Sequence, residues 1–179
     1  LTLQVKGGDL RNEEEFSAFI KDKEYDTFEK NMPWYRWETV LPASLMDQEF
    51  PELGGVTDIR VTQRGEGGVA DQVVITGTAG EKVLHYQDEV RQVLGCPELT
   101  ITKKDGTTAT GWKSLPSGYI AIEPEQTESG ETAFHIYGGG YGHGAGMSQT
   151  AAKVMADMGM DYETILKFFY QGIEVREIA

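Results

Sequence analysis

Six of the nine residues from Gly138 to Gly146 are glycine, and the only large side chains left in that stretch are the Tyr141 phenol and the His143 imidazole. Peptide this bare reaches positive φ without steric penalty and lets a ligand, or another part of the chain, come close to the backbone. A helical pattern begins directly after it, at Ser148. Tyr141, His143, Ser148 and Gln149 can each donate or accept hydrogen bonds, so the segment has the character of a built surface and not of a linker.

Composition narrows the classes of partner. Of 179 residues, 39% are hydrophobic and 10% aromatic, enough to bury a core, and the chain reads as a single domain over 1–179. The net charge of −13, with no compensating basic stripe, repels nucleic acid and argues against a nucleic-acid partner. Cys96 is the sole cysteine, which excludes an internal disulfide and a multi-cysteine zinc site and fits a small apolar residue. No apolar run approaches the roughly 18 residues of a membrane span. The start, Leu1-Thr2-Leu3-Gln4-Val5, is β-like, carries no targeting signal and reads as the interior of a longer chain.

Residues 12–31 suit one or two short helices, with Asn12 as N-cap and Glu13, Glu14 and Glu15 in the first turn. After Pro33, a strand is expected from Trp34 to Leu41, with Trp34, Arg36, Glu38 and Val40 on one face. Residues 56–63 and 69–78 form a hairpin around Arg64–Gly68, followed by a strand to His85 and a brief helix ending at Gly95. Strands near 99–102 and 117–123 flank the Lys103–Gly106 turn, and the turn Glu128–Glu131 leads into a strand over 132–137. Two helices follow the glycine run, the second capped by Asp161, their methionines and aromatics assigned to the core; a last strand begins at Ile173. Short connections of this kind predict an α+β fold: a mostly antiparallel sheet or small open barrel, with short helices at the N-terminal end and two after the loop.

Several chemistries compete for the glycine run. Gly140-x-Gly142-x-x-Ala145 satisfies a loose dinucleotide pattern, but it lies too near the C-terminus for a βαβ repeat. No Gly-Lys-Ser/Thr follows, which excludes a P-loop. His85, His135 and His143 show no i, i+4 pair, so no metal site is expected. Ser148, five residues after His143, is either a nucleophile with His143 as base or the N-cap of the next helix. The remaining reading uses Tyr141, His143, Ser148 and Gln149, with Arg36 from the strand, as a polar set lining a groove. Neutral donors beside aromatic faces suit sugar rings.

The run Gly139-Gly140-Tyr141-Gly142-His143-Gly144-Ala145-Gly146-Met147-Ser148-Gln149, with Tyr162-Glu163-Thr164-Ile165-Leu166 and Phe169-Tyr170-Gln171-Gly172, closely resembles the C-terminal signature of the SpoIID/LytB family. Pro33-Trp34-Tyr35-Arg36-Trp37-Glu38, Ile75–Gly80 and Glu89–Gly95 extend the resemblance, so 32–179 is the family-like core and 1–31 a helical lead-in. The resemblance implies an exported bacterial protein at the cell wall or membrane, acting on peptidoglycan glycan strands as a lytic transglycosylase or as an enhancer of cell-wall amidases. In the lytic reaction one carboxylic acid protonates the glycosidic oxygen and the sugar's own 6-hydroxyl closes an anhydro ring. The family's catalytic glutamate lies in a Glu-Met-Pro-like motif that this sequence lacks. No catalytic residue is assigned here; the acid is expected upstream, and the chain alone is expected to be inactive. Some members bind zinc through paired cysteines and histidines; with Cys96 alone, neither metal nor cofactor is expected.

Overall fold

The computed structural model describes residues 8–127 and 129–176, so the β-like start at Leu1 and Glu128 of the expected turn lie outside the described residues. Within them, β1 (Trp37–Pro42), β5 (Ile101–Lys103), β6 (Thr108–Ala109), β7 (Ile120–Gln126) and β8 (Thr132–Gly138) form a sheet of order β6-β5-β1-β8-β7. A second sheet is formed by β2 (Val56–Arg64), β3 (Ala70–Gly77) and β4 (Glu81–His85). All pairings between these strands are antiparallel. The sheets stay open and do not close into a barrel, and with five α-helices among the described residues they make an α+β fold.

Alternation drives the packing. Trp37, Thr39 and Leu41 of β1 are buried, while Glu38 and Val40 turn outward. The inward residues meet Ile59, Val73, Ile75, Leu84, Phe134 and Ile136 in one core shared by both sheets. Each such side chain contributes about 1.5–3 kcal/mol on burial. Helix α1 (Glu13–Lys21) begins where the Asn12 side chain accepts from the N–H groups of Glu14 and Glu15. It lays Phe16, Phe19 and Ile20 against Tyr119 and Ala121 in a second cluster. Helices α2 (Ala43–Glu49) and α3 (Tyr86–Val93) follow β1 and β4 directly. The sequence reading assigned no element to the α2 region.

Three expectations are corrected. The strand begins at Trp37, not Trp34, because Pro33 opens a 3₁₀ turn over Pro33–Tyr35 in which the Tyr35 N–H donates to the Met32 carbonyl at 3.0 Å. Trp34 and Arg36 therefore do not share the outward face of Glu38 and Val40. No strand forms over 173–176. In α4 (Gln149–Asp157) and α5 (Tyr162–Phe169), only Ala151, Met155 and Ile165 are buried, whereas Met158 and Tyr162 are 65% and 64% exposed. The pair packs on itself and meets Phe28 through Phe168, with ring centroids 5.5 Å apart, so only its inner stripe is covered.

Trp37 and Gly138 face each other across β1 and β8, and a Cβ built on Gly138 would lie 2.1 Å from the indole. Gly138→Ala is expected to destabilise the protein by about 1–3 kcal/mol through overpacking. Gly80→Ala, whose Cβ would meet only Leu53 at 4.0 Å, is expected to be near neutral. Urea midpoints of the two variants check the contrast.

Candidate functional site

The glycine run divides into two parts. Its start is fastened to the body of the protein: the Gly139 N–H donates to the Tyr119 carbonyl (3.1 Å), Gly140 N–H to Trp34 (2.8 Å) and Gly142 N–H to Pro116 (3.0 Å). Ser117 Oγ donates to the Gly139 carbonyl at 2.7 Å. A Cβ on Gly139 would fall 2.8 Å from Ile20, so the side chain is missing there because protein already fills the space. From Tyr141 to Met147 the chain is exposed except at half-buried Gly142, where φ is +126° and a Cβ would meet nothing within 4 Å. Gly144 is again a packing glycine, its missing Cβ replaced by the Tyr119 ring at 2.4 Å. Burial pushes the Tyr119 phenol up in pKa, which keeps it a donor toward the Gly144 carbonyl at 3.4 Å.

Beside this loop three rings converge. Tyr141 lies 5.6 Å from Trp34 and 5.4 Å from Trp112, and the two indoles are 5.2 Å apart. Tyr141 is 64% exposed, and both tryptophans are half-buried. Lys103 Nζ stands 5.1 Å from the centre of the Trp34 ring, within cation–π range. The three rings pack on one another, Tyr141 on the solvent side and Trp34 and Trp112 against the main core.

The polar residues singled out in the sequence take different places. His143 is exposed; its Nδ1 accepts the Ala145 N–H at 3.1 Å, which places the N–H of the neutral ring on Nε2. The His143 carbonyl accepts from Gln87 Nε2 at 2.8 Å. Gln149 is the exposed first residue of α4. Ser148 is the N-cap of α4, accepting the Ala151 N–H at 3.2 Å and donating to Glu29. Its hydroxyl is thus engaged by the cap and by Glu29, not by His143. Arg36 is 1% exposed and donates to the Tyr35 and Phe19 carbonyls, both at 3.0 Å, while its guanidinium stacks 3.9 Å from the Tyr35 ring. Burial pulls its pKa down. Arg36 stiffens the wall behind the loop and is not presented to a ligand, contrary to its expected place in the groove. Trp112, Lys103, Glu29 and Gln87 were missed; of these only Trp112, a tryptophan in a loop without strand alternation, carried a sequence signal.

Residues 2–146 match the model of a family described as a domain of unknown function (DUF8618). The chain belongs to this family. It is 35% identical over 74 residues to the amidase enhancer of Bacillus subtilis, a stretch covering 41% of this chain and 10% of that protein. It is 37% identical over 75 residues to an uncharacterized protein of Brachyspira hyodysenteriae (42% of this chain, 19% of the relative). Over 38 residues it is 47% identical to stage II sporulation protein D of Bacillus amyloliquefaciens (21% of this chain, 11% of the relative). The resemblance to the SpoIID/LytB family is therefore shared with named relatives, of whose own lengths the matches cover 10–19%.

The Ser148–Glu29 bond ties α4 to the segment that precedes Trp34. Removing the cap with Ser148→Ala is expected to cost about 1 kcal/mol. Ser148→Asp keeps a capping oxygen but sets a second carboxylate against Glu29, so at neutral pH it is expected to destabilise more than Ser148→Ala. Denaturant titrations of the two variants measure both effects.

Proposed function

We propose that this chain is the glycan-holding portion of a lytic-transglycosylase-like protein that processes peptidoglycan outside the cytoplasm. The observation that carries the reading is the Trp34–Trp112–Tyr141 platform standing directly against the exposed half of the glycine loop. Pyranose rings offer apolar C–H faces that lie on aromatic rings, and hydroxyl and acetamido groups that hydrogen-bond to neutral donors. Tyr141, the His143 ring and Gln149 supply such donors at exposed positions, and open space at Gly142 admits a strand against the backbone. Lys103, at the platform of a protein of net charge −13, favours a saccharide that carries an acidic group. Ser148 and Arg36 support the site from behind.

The reading assigns holding to these residues and proton transfer to none of them. Glu38, the carboxylate closest in sequence to the platform, is engaged by Lys23 at 3.3 Å and by His135 at 3.5 Å. A second reading, that the chain is a non-catalytic module that recruits a cell-wall amidase, is favoured by the amidase-enhancer relative and by the exposed Met158 and Tyr162 on α4–α5.

Co-sedimentation with purified peptidoglycan tests the glycan reading. Tyr141→Ala, at the exposed ring of the three, is expected to weaken retention by about tenfold, equivalent to about 1.4 kcal/mol, with thermal unfolding little changed. No anhydro-sugar fragment should be released by residues 1–179 alone. Equal retention of wild type and variant, together with capture of an amidase that Met158→Lys abolishes, would favour the recruiting module.

A further inference from the structure

Strand β4 ends at His85 and helix α3 begins at Tyr86, with no loop residue between them. The change of direction falls on Tyr86, whose φ of 63° makes it the one non-glycine residue with positive φ among the described residues. A tyrosine in the left-handed region is strained, and glycine would hold the same turn without penalty. The elbow is fixed from behind, because the His85 N–H donates to Glu89 Oε2 at 2.6 Å. Packing does not offset the strain: Tyr86 is 72% exposed, and its ring lies 6.4 Å from that of His85. Strain that is held by the surroundings and serves no burial is a mark of a functional position.

Its location gives that position a meaning. The next residue, Gln87, donates to the His143 carbonyl at 2.8 Å. The Gln87 Cβ also closes on Gly118, and one turn further along α3 the Arg91 guanidinium holds the Leu115 and Pro116 carbonyls at 3.0 and 3.3 Å. Pro116 in turn accepts the Gly142 N–H. The elbow and the glycine loop are therefore one hydrogen-bonded unit, in which Gln87, the residue after Tyr86, holds the loop at His143.

We infer that Tyr86 is a second ring-stacking position of the same site, so that the loop is crossed by an oligosaccharide contacting Tyr141 at one end and Tyr86 at the other. This rests on the glycan reading above. The strained backbone leaves an aromatic side chain exposed next to the residue that holds the His143 carbonyl, which a glycine there could not supply.

Calorimetric binding of β-1,4-linked N-acetylglucosamine disaccharide and hexasaccharide to the full chain, with thermal unfolding, tests the assignment. Tyr86→Gly should raise the melting temperature by a few degrees as strain is released. It should leave disaccharide affinity unchanged while weakening the hexasaccharide about tenfold. Tyr86→Phe should keep hexasaccharide affinity within about threefold, since the ring face is retained. If Tyr86→Gly binds the hexasaccharide like wild type, or loses both ligands together with stability, Tyr86 is structural and the assignment falls while the glycan reading stands. If wild type binds neither oligomer, the glycan reading falls and takes the assignment with it.

Discussion

The Trp37 indole organises the site. Trp37 sits in β1 opposite Gly138 of β8 on one side and opposite Lys103 of β5 on the other. Its ring occupies the space a side chain at Gly138 would need, and its Nε1–H donates to the Gly140 carbonyl at 3.0 Å. One residue thereby sets the register of the central strand against both neighbours and fixes where the glycine run leaves the sheet. Because a slip of one residue would turn every side chain to the opposite face, that register is strongly specified. Lys103, Trp34 and Tyr141 meet as a consequence of it.

From that anchor the loop acquires two unlike halves. Glycines at 138 and 139 are bare because Trp37 and Ile20 occupy their side-chain space, and the one at 144 is bare because Tyr119 does. Openness toward solvent is confined to the part between Tyr141 and Met147, where the fastened backbone cannot collapse onto the sheet. The loop backbone is held in place by the bonds from Gly140 N–H to the Trp34 carbonyl, from Gly142 N–H to the Pro116 carbonyl and from Gln87 Nε2 to the His143 carbonyl.

Local features were legible wherever the chemistry is local. The caps at Asn12, Ser148 and Asp161 follow from side chains that reach an N–H two or three residues ahead, and all three form. The hairpin, read around Arg64–Gly68, and the alternation of β1 from Trp37 onward were visible for the same reason. The strand face containing Arg36 was misread because period-two alternation was carried back to Trp34, into the turn that Pro33 opens. Met158 and Tyr162 were misplaced because an apolar stripe says which residues share a face, not whether anything covers it.

Residue types and short spacings thus determined the α+β class, the helix starts capped by Asn12, Ser148 and Asp161, and the polar character of the segment after Gly140. Tertiary structure decided the rest: which glycines have open space beside them and which make room for a neighbour, that Arg36 is walled in, and that Trp34, Trp112 and Tyr141 come together. Those three rings are far apart along the chain and adjacent only through strand register. Register is a property of paired strands packed on a common core, so no window of sequence contains it.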